Sequence, residues 1–246
     1  MTANLQAQHG SQRPRVLVVG VGALGCPAAT ALAHDGNFDI TLLDEDLVEL
    51  SNLQRQPLFD DHDIGRSKCE AAAEALRSLY PRGVFRPKNA MLTELNAVDF
   101  FRRHDFVIDA CDSVPTKFLI NRTALRTGTP FCHGGVARSG GQFMSIVPGC
   151  SACLSCVFDE DSQAPGEGCS ELGILAPVAG VVGSLQAFEA VKALTIPRSF
   201  VAGRMMIFNL KGKRWRRVDF PKSENCRCSD LDADRFVSRR QPECHL

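Results

Sequence analysis

Arg15-Val16-Leu17-Val18-Val19-Gly20-Val21-Gly22-Ala23-Leu24-Gly25 is the stretch that decides the fold. Its first five residues are the aliphatic, β-branched run of a buried strand. Gly20-x-Gly22-x-x-Gly25 follows at once, and the alanine-rich segment Ala28 to Ala33 follows that. Strand, glycine turn and helix open a nucleotide-binding βαβ unit. The first glycine permits the tight turn, the second lets a phosphate approach the backbone, and the third lets helix and strand pack closely. Amides at the helix N-terminus then face the anion. Taken alone, the triplet also fits a tight structural turn.

Outward from this turn, a second strand-like run, Asp39 to Leu43, ends in Asp44, 19 positions after Gly25. A carboxylate there accepts hydrogen bonds from ribose hydroxyls, in NAD and ATP sites alike. Gly65 to Leu79 has helical patterning before Pro81, Phe106 to Ile108 reads as a strand closed by Asp109, and Pro115 to Arg126 as a helix. This alternation predicts a Rossmann-like α/β fold with a mostly parallel sheet. Gln142 to Val147 and Arg204 to Leu210 read as strands and Pro177 to Leu194 as a helix, so antiparallel strands are expected at the sheet's far edge. The expected organisation is one domain over residues 15–230, a flexible segment over 1–14 and a tail over 231–246.

The chain has 246 residues, enough for one substantial core, and its 28 basic side chains balance 28 acidic ones. No overall field draws it to nucleic acid or an anionic membrane, so a bound nucleotide must be held locally. Met1 to Pro14 is polar and lacks a signal-peptide core. The longest apolar run, Ile174 to Phe188, contains Pro177, Ser184 and Gln186 and falls short of the roughly 20 residues that span a bilayer. A cytoplasmic protein without membrane or nucleic-acid partners is expected.

The residues after Asp44 favour ATP over a dinucleotide. Asn52, Arg55 and Lys68 place an amide and two cations soon after the ribose site, which suits a triphosphate. Without that context Arg55 and Lys68 are a solvated surface pair. Asp109-Ala110-Cys111-Asp112 follows a strand and puts carboxylates where open α/β folds bind ligands. Asp112 there can hold Mg²⁺ beside phosphates, while Asp112 or Ser113 can also cap the next helix.

Eleven cysteines, an odd count clustered near Cys153 and Cys226, favour metal or thiol chemistry over a disulfide framework. Cys153-Leu154-Ser155-Cys156 has zinc-knuckle spacing, and Cys226-Arg227-Cys228 supplies a second pair that would close a tetrahedron. Joining pairs about 70 residues apart costs roughly 4 kcal/mol of loop entropy, against about 10–16 kcal/mol from structural zinc. Cys150 keeps an iron–sulfur alternative open. Cys26, Cys69, Cys111 and Cys132 read as small buried hydrophobes. His133, Tyr80 and Trp215 have no constellation in the sequence and are assigned packing or surface roles, with no catalytic histidine.

Together the glycine turn with Asp44 and Asp46, Ser51-Asn52-Leu53-Gln54-Arg55-Gln56, Gly65-Arg66-Ser67-Lys68, Asp109 to Asp112, Cys153-x-x-Cys156 and Gly180 to Ala187 resemble the MoeB/ThiF/HesA family, related to ubiquitin-activating enzymes. The likeness runs from Arg15 to Cys228. It implies ATP-dependent adenylylation of the C-terminal glycine carboxylate of a ubiquitin-like sulfur carrier ending in Gly-Gly. By the resemblance, Gly20, Gly22, Gly25, Asp44 and Asp46 belong to the nucleotide site with Asp44 on the ribose, Asn52, Arg55 and Lys68 hold the phosphates, and Asp112 organises Mg²⁺ and the α-phosphate. Arg55, Lys68 and Asp112 are then catalytic, with Cys169 as a sulfur-handling thiol. Cys153, Cys156, Cys226 and Cys228 hold structural Zn²⁺. A homodimer and a sulfurtransferase or cysteine desulfurase partner are also implied.

This sequence departs from the family pattern in four places. No arginine-bearing N-terminal helix is evident, only Arg13 and Arg15. Ser113 follows Asp112 where asparagine is usual, and Lys117 stands where arginine is common. One residue, not two, separates Cys226 from Cys228, which leaves Cys244 or His245 as substitute ligands. Three other readings fit part of the pattern: a tRNA threonylcarbamoyladenosine dehydratase-like carboxylate activator, an NAD-dependent oxidoreductase and a non-catalytic carrier-binding relative. The carrier itself, and hence a molybdopterin, thiamine, tRNA-thiolation or cysteine pathway, is not written in the residues.

Overall fold

The computed structural model describes residues 13–160, 174–196, 200, 202–226 and 228. Strands β1 (Arg15–Val19), β2 (Asp39–Asp44), β3 (Val84–Asn89), β4 (Phe106–Asp109) and β5 (Phe131–Ala137) alternate with helices α1 (Gly25–Asp35), α2 (Lys68–Leu79), α3 (Ala97–Arg102) and α4 (Val114–Thr127). Strand β6 (Gly140–Ile146), helix α5 (Ala176–Thr195) and strands β7 (Arg204–Asn209) and β8 (Arg214–Asp219) follow. The eight strands form one sheet in the order β3-β2-β1-β4-β5-β6-β7-β8. Pairing is parallel from β3 to β5 and antiparallel from β5 to β8. The expected mixed α/β architecture is therefore the observed one.

Alternation along each strand sends side chains to opposite faces. Val16, Val18, Ile40, Leu42, Phe106 and Ile108 join one core with α1, α2 and α5. Leu17, Val19, Leu43, Val107 and Phe131 join a second core with α3, α4 and the later cysteines. Covering both faces explains why β1 and β4 read as continuous apolar runs. Strand β3 carries Pro87 and was not evident in the sequence; a proline is tolerated there because β3 is an edge strand. Strand β8 was equally inconspicuous, being mostly exposed and charged.

Helix α2 begins at Lys68, three residues later than its patterning suggested, because Gly65 takes φ +84° and turns the chain first. Helix α4 is capped by Ser113, whose hydroxyl accepts the Thr116 N–H at 3.4 Å. That settles the capping alternative and leaves Asp112 exposed.

Helix α5 crosses close to α1 only because residue 183 is glycine. A Cβ there would lie 2.3 Å from the Leu24 carbonyl oxygen and 2.7 Å from Pro27 Cγ. Gly183→Val is expected to destabilise the fold by about 3 kcal/mol, seen as a fall in Tm of roughly 6–12 °C. An unchanged Tm would show that the two helices do not meet at this contact. No helix among the described residues is long and apolar enough to cross a membrane.

Candidate active site

The C-terminal ends of β1, β2 and β4 converge on the glycine turn. Gly20, at φ +90°, has no room for a side chain, since a Cβ would sit 2.8 Å from the Ala110 carbonyl oxygen. A Cβ on Gly25 would collide with the Gly20 carbonyl oxygen at 2.0 Å. Gly22 differs: its Cβ would meet only the Gln56 amide nitrogen, at 3.7 Å. Two glycines thus serve the fold, and the third leaves open space over the turn, as a phosphate cradle requires.

Asp44 anchors this turn. Its carboxylate accepts the Val21 N–H at 2.6 Å and the Asp46 N–H at 2.8 Å. Burial pushes its pKa up, while those two N–H groups oppose the rise. Lys68, at the start of α2, is buried, and its ammonium pairs with exposed Asp46 at 2.7 Å. Half-buried Arg55 donates to the Ser51 carbonyl at 2.7 Å. Asn52 and Gln56 are both buried, and an amide oxygen of each has no hydrogen-bond partner. Such atoms cost stability unless something supplies a donor. Gln56 closes the Ser51 to Gln56 motif, and its burial against Gly22 adds it to this site.

The third strand end holds a network that the sequence reading missed. Asp109 is fully buried and receives Lys117 Nζ at 3.1 and 3.2 Å, His133 Nδ1 at 2.7 Å and the Cys111 thiol at 2.9 Å. Burial alone would raise its pKa, but the Lys117 ammonium and the His133 hydrogen bond hold it at about 2. Gln186 of α5 donates to the Asp109 and Cys132 carbonyls at 2.7 and 3.1 Å. His133 is therefore part of a constellation, contrary to the packing role it was assigned. Cys111 is half-buried in the loop after β4 and bonded to a carboxylate, whereas Cys26, Cys69 and Cys132 are buried as expected. Only the strand end at Asp109 and the lysine at position 117, where arginine is common, hinted at this; residues 109, 117, 133 and 186 meet through tertiary folding. Tyr80 and Trp215 pack edge-on to His34 and stacked on Phe208, as packing roles predict.

Asp112, Lys117 and His133 line one end of a groove of about 630 Å³ that continues over β5 to β8. Its walls are Val114, Phe118, Leu154, Phe158, Ile207 and Phe208, with Arg214 and Arg216 at β8. Gly135, Gly140 and Gly141 of β5 and β6 also line it, beside Gln142.

On the α4 side of the sheet, next to Leu154 and Phe158 of this groove, Cys153, Cys156, Cys226 and Cys228 bring their sulfurs within 4.8 Å of one another. Individual separations are 3.9 Å for Cys153 to Cys156, 3.5 Å for Cys153 to Cys226 and 3.3 Å for Cys156 to Cys228. A tetrahedron with zinc–sulfur bonds of about 2.3 Å has edges of roughly 3.8 Å, so the four thiols fit such an ion. The single-residue spacing of the second pair does not exclude either cysteine, contrary to the expected strain. Asn121 donates to Cys153 at 3.8 Å and the Ser223 N–H to Cys156 at 3.4 Å, which supports the sulfurs from outside. Cys150 is not among the four. Cys169, Cys244 and His245 lie outside the described residues.

The family model described as "ThiF family" matches residues 3–229. The molybdopterin-synthase adenylyltransferase of Escherichia coli K12 is 34% identical over 227 residues, covering 91% of this chain and 90% of that one. The sulfur carrier protein ThiS adenylyltransferase of the same strain is 36% identical over 235 residues, covering 94% and 92%. The chain spans only 50–51% of the fungal adenylyltransferase and sulfurtransferase uba4 proteins that it also matches. Among solved structures, E. coli MccB superposes with a TM-score of 0.77 at 20% identity, over 89% of this chain and 67% of that one, and so shares the fold. With a matching family model over most of its length and its glycine turn, Asp44 and Lys68 gathered at one sheet edge, the chain belongs to the ThiF family.

Proposed function

We propose that this protein uses ATP to adenylylate the C-terminal glycine carboxylate of a ubiquitin-like sulfur carrier. The observation that carries the reading is the groove from β8 to Asp112, which ends beside the glycine cradle at the same sheet edge. An extended chain ending in Gly-Gly fits beside the lining glycines Gly135 and Gly140, and the apolar walls suit the body of a small folded partner.

Each assigned residue has a part. The backbone at Gly22 and the α1 N-terminus receive phosphate, and Asp44 and Asp46 shape the nucleoside side. Lys68, Arg55 and Asn52 bind the phosphates and neutralise charge as the α-phosphorus becomes five-coordinate. A carboxylate oxygen of the carrier attacks that phosphorus, the bond to the bridging oxygen breaks, and pyrophosphate leaves with the electron pair. Acyl-adenylate remains. Asp112, an exposed carboxylate in the groove with no ion-pair partner among the described residues, fits a Mg²⁺ ligand, and the ion when bound would add positive charge at the phosphates. Lys117 and Asp109 hold the loop that presents it.

Structural Zn²⁺ held by Cys153, Cys156, Cys226 and Cys228 belongs to the same reading, as do a homodimer, a cytoplasmic location and a sulfurtransferase or cysteine desulfurase that supplies sulfur. The likeness to enzymes named for molybdopterin synthase and ThiS makes molybdopterin or thiamine synthesis the pathways to test first. Arg13 donates to the Arg82 carbonyl of its own chain at 2.9 Å, so a trans-acting arginine is not evident there. Cys169 is retained as the candidate sulfur-handling thiol.

The test is ATP–pyrophosphate exchange by the purified protein with a panel of small carriers ending in Gly-Gly. Exchange that depends on one carrier is the expected result and names the substrate. ATP binding without exchange, whichever carrier is present, would remove the adenylylation reading.

A further inference from the structure

His133, like Lys117, belongs to the Asp109 network and also lines the groove. The residue is 3% exposed, and its ring is fixed from two strands. Nδ1 lies 2.7 Å from Asp109 Oδ2 on β4, while the β5 backbone that carries the ring is tied down by Gln186 and by Lys117, which donates to the Gly134 carbonyl at 2.8 Å. Gly134 makes this clamp possible, since a Cβ there would lie 2.5 Å from the Gln186 amide. Phe158 meets the ring edge-on with centroids 6.1 Å apart.

The chemistry of the pair fixes the tautomer. Asp109 is ionised, so it only accepts, and Nδ1 must carry the proton. Burial and the Lys117 ammonium lower the His133 pKa and keep the ring neutral. The other ring nitrogen, Nε2, then carries a lone pair. Among the described residues it has no hydrogen-bond partner, and it is not one of the polar atoms closed off from the surface. It is an acceptor held toward a groove lined around it by Asp112, Lys117, Phe118, Phe158 and Gly135.

We propose that His133 is a positioning residue that accepts a main-chain N–H of the substrate's C-terminal tail through Nε2 and so selects tails with unsubstituted amides. This deepens the adenylylation reading and rests on it. A directed acceptor sets the tail's rotation about its axis and aims the terminal carboxylate, which glycines and apolar walls cannot do. Because Asp109 and Lys117 hold the ring before the tail arrives, little order has to be created on binding.

The experiment compares carriers whose last or penultimate glycine is N-methylated, which removes one N–H and keeps the carboxylate. The wild-type protein is expected to lose roughly 10–100-fold in kcat/KM for exchange with one of the two, as when an acceptor is left unpaired. His133→Ala should start lower by a similar factor with the ordinary carrier and distinguish the two carriers by less than about 2-fold. Equal discrimination by His133→Ala and the wild type would overturn the proposal, as would none in either. Nitrogen NMR of wild-type His133 gives a readout that needs no variant. The Nε2 resonance should be that of an unprotonated nitrogen and should move when a free Gly-Gly-terminated peptide binds, but not with the N-methylated peptide; a protonated or unresponsive Nε2 overturns it. If no carrier supports exchange, the adenylylation reading fails, and the peptide titration still decides His133 by itself.

Discussion

Replacing Lys68 by methionine is expected to lower carrier-dependent ATP–pyrophosphate exchange by roughly 10²–10³-fold, the loss typical of removing one preorganised charge at a reacting phosphorus. The side chain is buried along its stem, and its ammonium pairs with an exposed carboxylate, Asp46. Methionine keeps the apolar stem, and Asp46 can return to water at little cost, so the variant should keep its fold. The lost group is the charge beside the glycine cradle. If the effect lies in kcat, Lys68 acts on the transition state; if only in the KM for ATP, it binds ground and transition states alike. Exchange at the wild-type rate, with an unchanged Tm, would take Lys68 out of the phosphate site.

Cys228→Ser is expected to lower bound zinc from one equivalent to well below one and to cost about 3–5 kcal/mol of stability, a fall in Tm of roughly 10 °C or more. The four sulfurs lie at the spacing of a tetrahedral ion's ligands, and Cys153 and Cys228 are themselves buried in the second core, so the site staples the segment after β8 to the α4 side of the sheet. The cross-link joins positions about 70 residues apart, which is where a covalent-like closure gives most. Metal analysis with calorimetry, before and after chelation, checks both effects. A protein that purifies with no zinc, refuses added zinc and melts alike with or without Cys228 would leave the cluster as reduced thiols only.

What was legible in the residues and what was not are separated by the range of the interactions involved. The glycine turn, the first, second and fourth strands, helices α4 and α5 and the Cys153-x-x-Cys156 knuckle were legible because each is a local pattern. Turn, period and ligand spacing are set within about 20 residues. Helix α2 was misplaced at its start by a positive-φ glycine, and β3 and β8 were hidden because edge strands lack the apolar run of a central one.

What the sequence by itself determined about this protein is therefore the nucleotide-binding half: a strand, a glycine turn and Asp44 at the spacing that makes a cradle, followed by the cations of the next segment. Only the tertiary structure decided the rest. Asp109, Lys117, His133 and Gln186 come from β4, α4, β5 and α5, and no spacing rule links them, because they meet through strand pairing and helix packing. Cys226 and Cys228 join Cys153 and Cys156 despite an unexpected spacing, because the chain after β8 delivers them against the second core. A side chain's type sets what chemistry it can do; its burial and partners, which are long-range properties, set whether His133 is a packed ring or a fixed acceptor in a groove.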